Sequence, residues 1–185
     1  MNPQYAKVDN KLYKINTSYK VALKCNEVMQ DETTSDYEKM LAVIYLLFGD
    51  EGLKDKNNYN KLMELAFKYL LCGEEMESSK EKPDMDFKQD FKLIKASFMS
   101  DFGIDISKQD LEWYDFYTYL NGLKEDCILN RVRSLRTYDE KKIADKDDRQ
   151  NLIKAKRRFA LKKNEPTLTK EQEESMNRLN ELIGI

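Results

Sequence analysis

The sequence predicts a mainly α fold, with six to seven helices in one domain and a small β-hairpin at the N-terminus. Only six glycines and three prolines occur among 185 residues, and 36% of the residues are charged. This composition favours helices over a β-sandwich or barrel. Apolar residues also recur at helical spacing along most of the chain. The length suits a single domain that buries its core without a metal or disulfide.

The hairpin is predicted from the dipeptide Asp9-Asn10, which lies between two short segments of alternating polarity. Both residue types tolerate the positive φ of a tight turn. Val8, Tyr13 and Ile15 supply one apolar face. Because an isolated hairpin is marginally stable in water, we expect this face to pack on the helices or on a partner's edge strand.

The helices are predicted from apolar stripes and from signals at their ends. Asn16 or Thr17 is the expected N-cap of the first helix. Ser35 and Glu38 form a capping box before the second helix, and Gly49 is expected to end it. The helices are expected at about residues 17–29, 36–48, 59–72, 86–102, 108–123, 125–135 and 145–161.

The chain is organised around an aromatic-rich stretch, residues 87–123, which holds nine of its twenty Phe, Tyr and Trp residues. Two helices joined at Gly103 are predicted, the first capped by Asp86 and the second by Ser107. The second helix has more aromatic side chains than one buried face can hold. Since Tyr is enriched in binding hot spots, a partner surface is predicted among three tyrosines. These are Tyr114, Tyr117 and Tyr119.

The charge changes sign along the chain. Residues 131–163 contain thirteen Lys or Arg against five Asp or Glu, although the whole protein has a net charge of −2. Arg157 and Arg158 are candidates for contacts with a protein partner, and the basic segment around them is alternatively a footprint for nucleic-acid phosphates. A solvated helix, or a basic face for an acidic protein partner, fits the acidic remainder of the chain better.

One domain is expected over residues 1–163, with a linker inside it and an extension after it. Residues near 74–86 have the composition of a mobile linker. Residues 164–185 form a C-terminal extension with a helix that begins near Thr169. Its narrow apolar seam is typical of a helix that docks on another surface. The seam contains Met176, Leu179, Leu182 and Ile183.

No catalytic, cofactor-binding or metal site is predicted. The chain contains no histidine, which excludes Ser-His-Asp and Cys-His machinery. Its acidic clusters, such as the run that begins at Asp145, lie in loops or at helix starts, where Asp caps helices. Cys25, Cys72 and Cys127 are widely separated and predict free, buried thiols in a reducing compartment. The longest apolar run has nine residues, short of the roughly twenty that span a membrane. A soluble, intracellular, non-enzymatic protein is therefore expected.

Three parts of the sequence carry a family resemblance. They are residues 8–17, residues 96–106 with 111–116 and 120–123, and a third set made of Arg133-Ser134, Ile143, 147–149 and 159–161. Together they resemble the bacteriophage "gene product fifteen" family of phages and prophages of Gram-positive bacteria. The resemblance runs from about residue 6 to residue 162, and the segment around Gly103 is its most specific part.

The resemblance implies a protein encoded between the major tail protein and the tape-measure protein, similar in role to tail assembly chaperones. Such proteins bind the tape-measure protein and tail-tube subunits in the cytoplasm of the bacterial host and are absent from the finished virion. It implies no catalytic residues and no cofactor, and self-association stays open. Two alternatives remain: a structural tail or head-tail component retained in the virion, and a nucleic-acid-binding regulator that uses residues 131–163.

Overall fold

The computed structural model describes residues 3–74 and 83–162. Within these ranges it confirms the mainly α fold: seven α-helices and one two-stranded antiparallel sheet. The elements are β1 Tyr5–Val8, β2 Lys11–Lys14, α1 Tyr19–Gln30, α2 Asp36–Lys54, α3 Tyr59–Leu70, α4 Phe91–Phe102, α5 Trp113–Asn121, α6 Ile128–Thr137 and α7 Lys146–Phe159. Most of the predicted linker and all of the extension at 164–185 lie outside the described residues.

The N-terminal hairpin is confirmed and packs on α2 and α3. Val8 pairs with Lys11 across the turn, and Asp9 has the positive φ that its residue type tolerates, 51°. Val8, Tyr13 and Ile15 are buried. The sheet gains its stability from this apolar face, because two strands alone bury too little surface.

The first helix begins at Tyr19 with Ser18 as its N-cap, so the prediction of Asn16 or Thr17 was wrong. The reason is a long-range backbone pairing. The N–H of Trp113 donates to the carbonyl of Thr17 at 2.7 Å, and the N–H of Tyr19 donates to the carbonyl of Leu111 at 3.0 Å. These bonds keep Thr17 and Ser18 extended until the helix starts.

Gly49 interrupts the second helix, as predicted, and a second helical segment follows it directly. The predicted capping box at Ser35 and Glu38 is present. At Gly49 the backbone takes φ 64° and ψ −159°, after which the helix resumes and runs to Lys54. The carbonyl of Leu47 accepts from the N–H of Asn16 at 2.8 Å. A backbone group from outside the helix thus bonds next to the bend, and glycine adopts the positive φ without strain.

An aromatic stack forms the centre of the core, as the sequence predicted. Phe116 lies between Tyr19 and Phe98, with ring centroids 4.9 and 5.2 Å away. Trp113 stacks on the same ring at 5.7 Å. The stack therefore joins α1, α4 and α5 through side chains that bury large apolar areas.

The two helices of the aromatic stretch start later than predicted. Asp86 caps a turn by accepting from the N–H of Gln89 at 2.7 Å, and α4 begins only at Phe91. Ser107 belongs to a turn held by Asp105. The backbone pairing of residues 111–113 with residues 17–19 keeps the chain extended, so α5 starts only at Trp113. Gly103 has φ 69° and ends α4 in the left-handed conformation, as predicted.

The last two helices lie outside the main stack. α6 begins at Ile128, three residues later than predicted, with Cys127 as its N-cap. It contacts α4 on one side and α7 on the other. Asp145 accepts from two amides at the start of α7, which confirms its predicted role as a cap. Because α7 has no fully buried residue, it is a peripheral helix.

Candidate functional site

The one charged side chain that is fully buried within the described ranges is Asp90, which is 2% exposed. Arg136 of α6 donates from Nη1 and Nη2 to its two carboxylate oxygens, each at 2.7 Å. Arg136 also donates from Nε to the carbonyl of Phe159 and from Nη1 to that of Asp84, both at 2.7 Å. One guanidinium thus joins the residues before α4, the helix α6 and the end of α7.

This buried pair has the geometry of a structural connection. Both carboxylate oxygens of Asp90 are occupied, and the backbone N–H of Asp86 donates to one of them as well. A bidentate pair of this kind orients both partners and leaves neither charge free for a ligand. Sequence analysis missed it, because Asp90 and Arg136 are 46 positions apart.

Two shallow grooves on the helical surface offer binding sites for a partner. We call the first the methionine groove. It lies between α1, α2 and α3, has a volume of about 480 Å³ and is lined by Met29, Met40, Met63, Phe67, Asp36, Lys39, Asn60 and Glu64. Its apolar part comes from four large side chains on three helices, three of which are methionines. Sequence analysis did not find it, because these residues are distant in sequence.

The second groove, which we call the lysine-rimmed groove, lies between α1 and the turn before α4. It measures about 340 Å³ and is lined by Leu23, Phe87, Phe91, Lys20, Lys24, Lys88 and Glu27. Its apolar floor is anchored in the core, since the ring of Phe87 lies 6.0 Å from that of Trp113. Two of the rim lysines bond to Glu27, and Lys20 lies 3.7 Å from Asp110 outside the groove.

The three candidate tyrosines of α5 are half-buried and do not form one surface. The ring of Tyr114 contacts Tyr69 with 5.4 Å between centroids. Tyr117 contacts Trp113, and its hydroxyl donates to Glu74 at 3.0 Å. Tyr119 contacts Phe102 at 5.0 Å. The excess of aromatic residues is therefore absorbed by neighbours on several sides of the helix, and the partner role of these tyrosines remains a prediction.

The candidate arginines Arg157 and Arg158 are exposed on α7, and neither forms an ion pair with any residue that the structure describes. Arg158 lies 5.6 Å from the ring of Phe159. They remain available for an anionic partner. The other two candidates, Leu179 and Leu182, lie outside the described residues.

The titratable groups with shifted pKa values belong to the core, to caps and turns, and to surface ion pairs such as Glu27 with Lys24 and Lys88, whose hydrogen bonds lower the pKa of Glu27. Burial raises the pKa values of the Cys25 and Cys72 thiols to about 12, which leaves little reactive thiolate near neutral pH. Burial also raises the pKa of Tyr69. Within residues 3–74 and 83–162, no three Cys, Asp or Glu side chains come together as metal ligands. No helix in the same ranges is long and apolar enough to cross a membrane.

The fold and surface define a small helical protein whose potential binding sites are open grooves and a basic helix face. In a comparison with protein families, the model of the Bacteriophage Gp15 protein family matches residues 3–161 of the chain. The chain belongs to this family, and the resemblance found in the sequence is confirmed. No curated protein and no solved structure matches. A phage structural or assembly protein is the class of function that this membership supports.

Proposed function

We propose that this protein is a phage tail assembly chaperone that holds helical segments of the tape-measure protein while the tail tube is built around it. It acts in the cytoplasm of the bacterial host, where it also binds tail-tube subunits, and it is absent from the finished virion. The observation that carries the proposal is the methionine groove, in a chain that belongs to a phage protein family.

The methionine groove has the chemistry needed to bind many related segments. Methionine is unbranched and polarisable, so it adapts to side chains of different shape. An amphipathic helix buries apolar residues spaced three or four apart in such a groove. Flexible, methionine-rich surfaces accept varied partners because they repack. A chaperone for a long helical protein needs this tolerance.

The groove also leaves part of its apolar surface uncovered. Phe67 is 36% exposed, while Met29, Met40 and Met63 are half-buried beside it. Filling the groove with a partner helix would remove this surface from water, at about 25 cal/mol per Å² of apolar area. The rim supplies both charge signs, through Lys39 and Glu64, for orienting the partner.

The test is co-expression of the full chain with the tape-measure protein encoded beside it. We expect the tape-measure protein to stay soluble and to co-purify with the chain. Phe67→Glu should reduce the co-purified amount at least about tenfold, because a buried, unpaired charge costs more than 1.4 kcal/mol. Phe102→Glu is the matched control, since Phe102 is also 36% exposed but lies on α4. No association with the unaltered chain, or equal loss in both variants, would contradict the proposal.

The family membership also supports a structural tail component retained in the virion. Mass spectrometry of purified particles separates the two roles. A chaperone is expected to be missing from particles that contain the tape-measure protein. Stoichiometric recovery of this chain in the particle would favour the structural role.

A further inference from the structure

The described chain ends beside the lysine-rimmed groove. The backbone N–H of Lys162, the last described residue, donates to Oε1 of Gln89 at 2.8 Å. Nε2 of Gln89 donates in return to the carbonyl of Lys162 at 2.9 Å. Gln89 is the neighbour of Lys88 on the rim. This reciprocal pair fixes the point from which residues 163–185 continue.

The groove lies within reach of the apolar seam of that segment. Six residues separate Lys162 from Thr169, where the sequence predicts that the last helix begins. Extended, they span up to about 20 Å. The fourteen residues of 170–183 would add about 21 Å as a helix. A segment that starts at the rim therefore needs only a short connection to turn back over it.

The charges of the segment and of the groove are complementary. Residues 163–185 carry five glutamates against three basic residues, and three of these glutamates fall at 171–174. The groove is lined by three lysines and one glutamate. Its floor of Leu23, Phe87 and Phe91 is apolar like the seam, and its lysines carry the charge opposite to that of the glutamates that precede the seam in the sequence.

The methionine groove does not offer the same match. Its lining carries Asp36 and Glu64 against Lys39, so an acidic segment meets an excess of like charge there. Charge decides which of two similarly apolar surfaces a segment binds, because like-charge contacts weaken binding to the surface of the same sign. The two grooves thus have different preferred occupants.

We propose that the C-terminal segment of this chain folds back on its own domain and covers the lysine-rimmed groove, with Leu179 and Leu182 seated against Leu23, Phe87 and Phe91. The contact is intramolecular, and it leaves the methionine groove open for a partner. Linkage through a short connection gives such a contact a high effective concentration, so weak individual contacts suffice.

The test is methyl NMR of the full chain, with Leu23 as the reporter. We expect nuclear Overhauser contacts between its methyl groups and those of Leu179 or Leu182. Leu179→Asp/Leu182→Asp should abolish these contacts and displace the Leu23 resonances. The matched control is Asn177→Asp/Asn180→Asp, which adds the same charge beside the seam and should leave the Leu23 resonances unchanged. The methyl resonances of the buried Ile44 monitor the fold.

Each other result overturns the proposal. Absent contacts, together with Leu23 resonances that are identical in both variants, would show that the groove is not covered by this segment. Contacts seen only between differently labelled chains in a mixed sample would assign the occupant to a second copy. Equal displacement in both variants would trace the effect to charge alone. No readout involves the tape-measure protein, so the result is independent of the proposed function.

Discussion

Replacing Arg136 by Ala should be among the most destabilising single changes in this protein. The guanidinium donates four hydrogen bonds of 2.7 Å, two to Asp90 and two to the carbonyls of Phe159 and Asp84. The substitution leaves the Asp90 carboxylate in a site that is only 2% exposed, with the backbone N–H of Asp86, 3.1 Å from Oδ2, as its remaining donor among the described residues.

The magnitude follows from this uncompensated charge. Removing one partner of a buried ion pair costs about 3–5 kcal/mol, because the remaining charge stays desolvated. A domain is stable by about 5–15 kcal/mol in total. With a urea m-value of roughly 2 kcal/mol/M, the unfolding midpoint should fall by about 1.5–2.5 M. The connection between α4, α6 and α7 therefore supplies a large fraction of the net stability.

Urea unfolding followed by circular dichroism measures this change, with Arg133→Ala as the control. Arg133 bonds to Asp84 at 3.0 Å, but the two side chains are 37% and 35% exposed. Such a pair contributes only about 0–1 kcal/mol. Equal midpoints for the two variants would refute the reasoning. Arg136→Met with Asp90→Leu should recover stability relative to Arg136→Met alone, since no charge is then buried.

Two substitutions and one reactivity measurement test local features of the fold. Gly103→Ala should cost about 1 kcal/mol in urea unfolding through the left-handed backbone alone, because nothing lies within 4 Å of the added Cβ; a neutral result contradicts this. Burial and its bond to Asp55 raise the pKa of Tyr13 to about 12, above the unfolded value of about 10. The stability that this group contributes is thus fully present below pH 10 and is lost as the pH rises towards 12. Between pH 9 and pH 11, the urea midpoint of Tyr13→Phe should therefore fall less than that of the unaltered protein. Native Cys25 should react with a thiol reagent at pH 8 at least about a hundredfold more slowly than in urea, since its pKa of about 12 suppresses the thiolate; equal rates would show that the site opens freely.

The features that the sequence predicted correctly depend on neighbouring residues. The turn at Asp9, the capping box at Ser35 and Glu38, the cap at Asp145 and the stop at Gly103 each arise within about four positions. Their geometry depends on intrinsic φ preferences and short side-chain bonds to end-of-helix amides. Nothing elsewhere in the fold has to be known.

The errors arose where distant backbone groups compete with a local signal. Thr17 and Ser107 are both acceptable N-caps in isolation. The pairing of residues 17–19 with 111–113 holds both chain segments extended and moves the starts of α1 and α5. Tertiary bonding therefore outweighed end signals that are each worth about 1 kcal/mol.

Both grooves were missed for the same reason. The methionine groove needs Met29, Met40 and Met63 from three helices, and their proximity follows only from how those helices pack. Amphipathic periodicity assigns each methionine to an apolar face. It does not show whether a neighbouring helix covers that face completely, and the groove is the part that remains uncovered.

The structure also changes how the basic stretch at 131–163 is interpreted. Arg133 and Arg136 bond to carboxylates before α4, Arg149 donates to the carbonyl of Ile143, and Lys156 bonds to Glu140. These four cations hold α6 and α7 in place, so part of the charge segregation serves the fold. The exposed cations of α7, among them Lys154, Arg157 and Arg158, form no ion pair with any residue that the structure describes. The preference for an acidic protein partner over nucleic acid therefore remains a prediction, and the salt dependence of binding tests it, because each phosphate contact adds to that dependence.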